Sequence, residues 1–317
     1  MLKNPTVPTR ADLFDLQVNG FAGVDFQAAE LSRAQLEFAV AGLQAHGTSR
    51  ILLTLITDSV DRLEAKLRHI EALRAKSPKV ASTVVGYHLE GPYLCAEPGY
   101  RGAHNPVWMK APDRAEFDRF WTASGGRLRL VTLAPELAGS TEFIRYAVGH
   151  GVRVAIGHSN ADEASIDAAQ EAGLTLCTHL GNGVPGQLPR HDNVVQRLLA
   201  RDELYACFIP DGIHLPPGVL KNFVRAKPSD KVLFTTDAMS AAGASPGRYP
   251  LGEMVVEVGA DRIVRQPGSS NFAGSALTMD DACGRVSRYL GWSETEARAA
   301  CGARVAAALG YATEPTS

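Results

Sequence analysis

Length, composition and charge already exclude several classes of protein. The chain has 317 residues, 45% hydrophobic and 21% charged, which suits one large α/β barrel or two small globular domains. A net charge of -2 supplies no global field that would attract nucleic acid or an anionic membrane surface, so we expect neither as a partner.

The cysteines and the N-terminal segment indicate the cellular compartment to expect. Five cysteines are widely spaced and include no CxxC pair, so we expect buried reduced thiols and not a disulfide framework. The segment MLKNPTVPTRADLF lacks an apolar core of the kind that export signals carry. No stretch approaches the roughly 20 apolar residues of a membrane span. A cytoplasmic protein is the expectation.

Eight short apolar runs recur along the chain, each followed by polar or glycine residues. The runs cover 13–19, 50–57, 83–90, 128–134, 153–158, 174–179, 204–209 and 231–237. Near-continuous apolar runs are typical of strands buried on both faces of a parallel sheet. Spacers such as 31–46, 59–76 and 162–172 have the length and composition of crossover helices, with Asn160 or Asp162 as the cap of the third. The pattern predicts a (β/α)8 TIM barrel, with a doubly wound open sheet as the alternative.

The last quarter of the chain departs from this rhythm. Residues 241–274 are turn-rich and include EMVVEVGADRIV, which predicts a hairpin around Gly259-Ala260. We expect this excursion on the C-terminal rim of the barrel, as a hairpin or lid. Residues 275–311 are helical in pattern and should pack on the barrel. No linker argues for a second unit, so residues 1–317 are expected to form one catalytic domain.

Polar groups stand at the ends of most of the predicted strands. In a β/α barrel these ends converge on one face, where active sites lie, so the groups should share one cavity. The strand-end segments are Gln17-Val18-Asn19, His88-Leu89-Glu90, Gly157-His158, Thr178-His179, Asp211-Gly212-Ile213-His214 and Thr236-Asp237.

One carboxylate and two imidazoles, those of Glu90, His158 and His179, would make a three-ligand metal site with a water in the fourth position. The metal would lower the pKa of that water to about 7. Asp237, on the last strand, would take the water's proton and pass it to a leaving amine. The alternatives are satisfied structural histidines and an Asp237 that caps a helix.

Other polar residues allow more than one interpretation. Gln17 and Asn19 alternate along the first strand, so they contact substrate or metal-bound water, or hydrogen bond within the barrel mouth. His88 shares the face of Glu90 and is expected to pack beneath the site. Three acidic residues are weaker alternatives to Glu90 or Asp237, namely Glu97, Glu136 and Asp211.

Ten collinear segments resemble the N-acetylglucosamine-6-phosphate deacetylase family of the amidohydrolase superfamily. They span roughly residues 14–310, and together they are specific although each is weak alone. The segments are FDLQVNGFAGVDF (14–26), TLIT (54–57), GYHLEGPYL (86–94), GAHNP (102–106), VTLAPE (131–136), AIGHSNA (155–161), THLGNGVP (178–185), PDGIHL (210–215), TTDAMSAAGA (235–244) and GSALTM (274–279).

The resemblance implies a metal-dependent deacetylase with a (β/α)8 barrel. It implies metal binding by Glu90, His158 and His179, and general acid/base catalysis by Asp237. It further implies that His104 polarises the acetyl carbonyl or binds the sugar.

For the sugar phosphate, the resemblance implies contacts from His214 and Arg190, assisted by Asn182 and the backbone of Gly183. Arg190 is supplied across a dimer interface in some family members, so a homodimer is expected. The alternative for Arg190 is a solvated loop side chain.

Three features of this chain modify those expectations. Gln17-x-Asn19 replaces the His-x-His of two-metal amidohydrolases, so one divalent metal ion per chain is expected, zinc first, with iron, manganese or cobalt as alternatives. The β-sandwich that family members usually carry should be absent. The segment Gly181-Asn182-Gly183-Val184 lacks the family's usual aromatic and methionine, which puts the phosphate pocket in question.

The leading hypothesis is therefore deacetylation of N-acetylglucosamine 6-phosphate to glucosamine 6-phosphate and acetate. One alternative is an amidohydrolase for another N-acetylated amino sugar or a cyclic amide. The alternative from a different class is a sugar-phosphate binding barrel without catalysis.

Overall fold

The structure is a computed structural model, and it describes residues 13–267 and 272–311. In chain order the strands are β1 (Leu13–Val18), β2 (Gly20–Phe21), β3 (Val24–Asp25), β4 (Thr48–Ile56), β5 (Val84–Glu90), β6 (Leu128–Leu133), β7 (Arg153–Ile156), β8 (Leu176–Cys177), β9 (Tyr205–Phe208), β10 (Val232–Phe234), β11 (Gly247–Leu251), β12 (Met254–Val258) and β13 (Val264–Arg265). The helices are α1 (Arg33–Ala45), α2 (Val60–Ala75), α3 (Pro78–Thr83), α4 (Arg114–Ala123), α5 (Ser140–Gly149), α6 (Glu163–Glu171), α7 (Val194–Leu199), α8 (Pro217–Arg225), α9 (Met279–Leu290), α10 (Glu294–Ala300) and α11 (Ala303–Ala308).

Eight parallel strands form one sheet in the order β1-β4-β5-β6-β7-β8-β9-β10, so each crossover places the next strand beside the last. The two ends of the sheet meet where Val18 bridges Ala238 in parallel. At the same seam the Asn19 amide donates to the Ala238 carbonyl at 2.7 Å. The predicted (β/α)8 barrel is confirmed.

Most of the helices begin at residues whose side chains accept hydrogen bonds from the first turn. Ser32 and Gln35 form a capping box at α1, and Ser59 caps α2. Asp162, not Asn160, caps α6 by accepting from the Ser165 amide at 2.8 Å. These caps explain why three helices start within two residues of the predicted positions.

The core has two layers around the sheet. Residues between the strands and the outer helices form one large buried cluster. A second cluster fills the barrel and its N-terminal end, where α11 packs Val305 and Leu309 against Phe14 and Leu16 of β1. With this end closed by α11, the opposite mouth is the open face of the barrel.

The excursion after β10 is a three-stranded antiparallel sheet in the order β11-β12-β13. The predicted hairpin corresponds to β12 and β13, and β11 is an additional strand that the sequence pattern did not indicate. The turn between β11 and β12 is tied to the barrel, because the Gly252 amide donates to the Asp25 carboxylate at 2.8 Å. Arg62 and Glu253 form an ion pair at 2.6 Å beside it.

Two expectations concern the whole chain. All five cysteines are buried and free of disulfide bonds, as predicted. Among residues 13–267 and 272–311, no helix combines the length and hydropathy that a bilayer crossing requires.

Candidate active site

Three of the predicted site residues adopt left-handed backbone conformations just after barrel strands. The φ angles are 52° at His158, 27° at His179 and 50° at Asp237. Such conformations cost about 1–3 kcal/mol each in a residue with a side chain and persist only where neighbours enforce them. Here the carbonyls of these residues accept from backbone amides, for Asp237 from Ser275 at 2.8 Å. The turns direct all three side chains into the barrel mouth.

Glu90, the last residue of β5, lies at the centre of an imidazole cluster. Its Oε1 atom is 2.9 Å from Nε2 of His179 and 3.3 Å from Nε2 of His158. Nε2 of His104 lies 3.9 Å from the other oxygen, Oε2. All four side chains are at least nine-tenths buried. The structure therefore brings together the three predicted metal ligands and the histidine predicted to act on the carbonyl.

In two of these imidazoles, a hydrogen bond at Nδ1, on the side of the ring away from Glu90, fixes the tautomer. Nδ1 of His158 lies 2.8 Å from the carbonyl oxygen of Tyr100, which can only accept, so Nδ1 carries the proton. Thr57 donates its hydroxyl to the Glu90 carbonyl and must accept from Nδ1 of His104, at 2.9 Å. In both rings the lone pair on Nε2 therefore faces Glu90. Such second partners are typical of metal-ligating histidines.

This donor set fits a divalent metal. Two lone pairs aimed at a carboxylate repel it unless a cation or added protons lie between them. Burial alone would raise the pKa of Glu90, but the polar surroundings supplied by the His158, His179 and His104 rings hold that pKa well below its usual value. Burial lowers the pKa of His104 to about 3, so this ring resists taking the proton. A carboxylate with neutral imidazoles is a common zinc-binding combination.

The identity of the third protein ligand is open between two histidines. Glu90, His104 and His158 offer ligand atoms that all lie within 4.8 Å of one another. The predicted set replaces His104 by His179, which makes the shortest contact to Glu90. Nδ1 of His179 is buried and has no hydrogen-bond partner among the described residues, so this ring lacks the partner behind it that His158 and His104 have. We retain Glu90, His158 and His179 as the predicted set and His104 as the rival ligand.

Asp237 is oriented by the first strand. Gln17 Nε2 and Asn19 Nδ2 donate to the same oxygen, Oδ1, at 2.9 and 2.7 Å. Burial, with the negative charge of Glu90, raises the pKa of Asp237 well above its usual value. Asn19 lines the cavity, whereas Gln17 is fully buried and absent from its lining. Gln17 thus supports Asp237, and its predicted contact with substrate would have to be indirect.

A cavity of about 480 Å³ opens above these residues, a volume suited to a small ligand. Asn182, Gly183 and His214, the residues predicted for the sugar-phosphate side, are among those that line it. Among the residues that the structure describes, no lysine or arginine lines the cavity. Arg190 is exposed and lies outside that lining, so its role in phosphate binding stays a prediction that needs a second copy of the chain or a moved loop.

Two acidic residues that the sequence offers only as alternative ligands or bases support other site residues. Asp211 binds Nδ1 of His214 at 2.6 Å through its carboxylate, and it accepts from the His214 amide at 2.8 Å. Glu136 accepts from the hydroxyl of Ser159 and the amide of Asn160, both at 2.7 Å, immediately after His158. The Asp-x-x-His spacing could have indicated the first role. No local signal marks the second.

Other supporting residues gave no signal in the sequence. Tyr100 acts through its backbone carbonyl, and Thr57 is an ordinary strand-end threonine. His88 packs beneath the site as expected, with Nε2 at 2.8 Å from the Thr132 hydroxyl, and burial lowers its pKa to about 4.

A (β/α)8 barrel with a carboxylate–imidazole cluster and a strand-end aspartate at its mouth defines the amidohydrolase class of hydrolases. None of the protein-family models compared with this chain matches it. Curated relatives do match. N-acetylglucosamine-6-phosphate deacetylase of Bacillus subtilis is 30% identical over 286 residues, covering 90% of this chain and 71% of the relative. The Bos taurus deacetylase of the same name is 35% identical over 282 residues, covering 86% and 66%. N-acetylgalactosamine-6-phosphate deacetylase of Escherichia coli O157:H7 is 33% identical, covering 89% and 73%.

Solved structures agree with these relatives. The Mycobacterium smegmatis N-acetyl-D-glucosamine-6-phosphate deacetylase, as an aspartate-to-alanine mutant in complex with N-acetyl-D-glucosamine-6-phosphate, superposes with a TM-score of 0.85 at 30% identity and covers 95% of this chain and 77% of its own. The Thermotoga maritima deacetylase gives 0.83 at 25% identity, covering 95% and 78%. The chain belongs to the N-acetylglucosamine-6-phosphate deacetylase family. It spans about two thirds of the length of the curated relatives it matches.

Proposed function

We propose that this chain hydrolyses the acetamide bond of N-acetylglucosamine 6-phosphate, giving glucosamine 6-phosphate and acetate. The observation that carries the proposal is Glu90 with three imidazoles around it and Asp237 at the same barrel mouth. Family membership supports the reaction class. Because one relative acts by name on the galactosamine isomer, the sugar is the least constrained part of the proposal.

We assign the metal to Glu90, His158 and His179, and we propose zinc as the ion. When bound, a divalent metal supplies Lewis-acid activation of a water molecule and of the amide carbonyl. The chain contributes the fixed geometry, because Tyr100 and Glu136 hold the His158 turn from two sides.

Asp237 is the proposed proton carrier. Its Oδ1 atom accepts hydrogen bonds from Gln17 and Asn19, so we assign proton transfer to the other oxygen, Oδ2. A raised pKa suits a group that must first take a proton from water and then give it to the departing amine. His104, with its pKa lowered by burial, stays neutral beside the cluster. Its Nε2 lone pair can accept from a sugar hydroxyl but cannot donate to a carbonyl oxygen, so of the two predicted roles we propose sugar binding.

The phosphate is assigned to the side of the cavity formed by Asn182, Gly183 and His214. The Asp211 carboxylate holds the His214 ring through Nδ1 at 2.6 Å, so we assign the other ring nitrogen, Nε2, to the phosphate. Arg190 from a second copy of the chain would supply a guanidinium group to the phosphate, so we propose a homodimer. Sedimentation of the purified chain tests the dimer directly.

Acetate release from the metal-loaded protein tests the reaction. The substrates to compare are N-acetylglucosamine 6-phosphate, its galactosamine isomer and unphosphorylated N-acetylglucosamine. A cyclic amide such as dihydrouracil releases no acetate, so its hydrolysis is followed separately as ring opening. Release from an amino-sugar phosphate, abolished by Glu90→Gln and kept by the exposed-site control Glu97→Gln, supports the proposal. Saturable binding of sugar phosphate without acetate release would instead support the non-catalytic barrel.

A further inference from the structure

We propose that one side of the cavity is an acyl-binding site and that Met254 sets the length of acyl group it accepts. This apolar wall consists of Ile56, Ala103, Leu251 and Met254, which all line the cavity. The inference rests on the proposed amide hydrolysis and specifies its substrate class. None of the catalytic assignments above uses these four side chains.

The apolar wall adjoins the reacting centre. Ile56, the last residue of β4, is paired in register with Glu90 on β5. Ala103 directly precedes His104 in the chain. Leu251 and Met254 face each other across the end of the β11–β12 pair. Ile56, Ala103 and Met254 also pack against the same buried cluster, which contains Met239 and Leu251. The apolar wall is therefore one continuous surface that begins beside Glu90.

The polar sugar-phosphate side lies across the barrel from this wall. In the strand order, β4 is second and β8 is sixth, so the two strands are opposite in a closed eight-stranded barrel. Asn182 and Gly183 follow β8, and His214 follows β9. An amide carbonyl held near Glu90 carries the sugar nitrogen on one side and the acyl carbon chain on the other. With the sugar on the polar side, the acyl chain meets the apolar wall.

Two contacts hold the wall in place. Gly252 donates to the buried Asp25 carboxylate at 2.8 Å, and Glu253 pairs with Arg62 at 2.6 Å. Gly252 and Glu253 form the turn between Leu251 and Met254, so both residues of the turn are anchored to the barrel. The free space beside the cluster then depends on side-chain size. Met254 is unbranched and only partly buried, whereas Leu251 is buried, so shortening Met254 enlarges the space with less loss of packing.

The test is the ratio of kcat/KM for N-propionyl- to N-acetylglucosamine 6-phosphate. One methylene changes discrimination in an apolar pocket by roughly 10–200-fold. We expect Met254→Ala to raise the ratio at least tenfold and Ala103→Leu to lower it by a similar factor. Because both substrates use the same enzyme preparation, the ratio is insensitive to partial misfolding or incomplete metal loading.

Val255→Ala is the matched control. Val255 follows Met254 in β12, is 49% exposed and is absent from the cavity lining. Its ratio should stay within about twofold of the wild-type value, below the effect of one methylene. If Met254→Ala and Ala103→Leu also leave the ratio within that range while wild type releases acetate, the acyl-site proposal alone is wrong. If wild type releases neither acyl group, the proposed function is wrong as well.

Discussion

Asn19 Nδ2 lies 2.7 Å from Asp237 Oδ1, across the seam where β1 and β10 close the barrel. Gln17, two residues earlier in the chain, donates to the same oxygen from Nε2 at 2.9 Å. The first strand therefore orients the side chain that ends the eighth strand. Barrel closure and the position of the proposed proton carrier depend on the same few contacts.

Asp237→Asn should abolish most turnover while leaving metal content and substrate binding near wild type. The amide keeps the shape of the carboxylate but cannot carry the proton, and general acid–base catalysis contributes about 10²–10⁴-fold. Steady-state kinetics with metal analysis of the same samples measures both effects. The exposed-site variant Asp230→Asn is the control. A near-normal rate in Asp237→Asn would remove this residue from the mechanism.

Metal content of two histidine variants separates the rival ligands. We expect His179→Asn to lose the metal, and His104→Asn to keep about one equivalent per chain while losing turnover, because a three-ligand site leaves His104 free for substrate. Inductively coupled plasma mass spectrometry after extensive dialysis measures the number of metal ions per chain. The reverse result, with metal lost in His104→Asn and retained in His179→Asn, would transfer the third ligand to His104.

His214 and its partner should affect phosphorylated substrates selectively. Asp211→Asn removes the carboxylate that holds the His214 ring through Nδ1, so KM should rise more for N-acetylglucosamine 6-phosphate than for N-acetylglucosamine. His214→Gln and Arg190→Ala should show the same selectivity. An equal change in KM for both sugars would reject phosphate binding by the residue concerned.

Gly183→Ala should disturb the metal site. A Cβ atom at this position would lie 2.7 Å from Nδ1 of His158, and the φ angle of 63° already disfavours a side chain. The contact competes with the bond from His158 to Tyr100, so we expect lower metal content and lower kcat. Gly218→Ala, where a Cβ atom meets no neighbour within 4 Å, is the control. Full metal occupancy in Gly183→Ala would show that this loop adapts.

The buried Asp15 should make stability depend on pH. Burial raises the pKa of Asp15 to about 6, although Thr235 and Thr236 donate to it. Its pKa in the unfolded chain is about 3.9. The folded state thus binds the proton more tightly, and this contribution to stability is complete below about pH 4 and lost as pH rises through about 6.

Asp15→Asn imitates the neutral acid. The free energy of unfolding of the variant, relative to that of wild type, should therefore be larger at pH 7.5 than at pH 5, by on the order of 1–3 kcal/mol. Urea unfolding at the two pH values measures this difference. Asp25, whose pKa burial also raises to about 6, is present in both proteins and cancels. A difference that does not change with pH would contradict the assignment.

Much of the fold could be predicted because its signals are local. A parallel strand buried on both faces needs an apolar run, and a barrel needs such runs to alternate with helices. The same topology brings strand ends together, so Glu90, His158, His179 and Asp237 could be grouped before any coordinates. β11 was missed because Gly247–Leu251 contains Pro250 in a turn-rich segment. An edge strand tolerates such a proline, since one side of its backbone needs no partner.

The tertiary structure decided which side chains act together. His104 reaches Glu90 from the long loop after β5, Tyr100 fixes His158 through a backbone carbonyl, and Asp25 holds the rim sheet through a single amide. None of these contacts follows a periodicity of two or 3.6 residues. Periodic burial determines strands, helices and the end of the barrel that carries the chemistry. The paths of the loops determine the neighbours, because residues far apart in the chain come within hydrogen-bonding distance only after the barrel has closed.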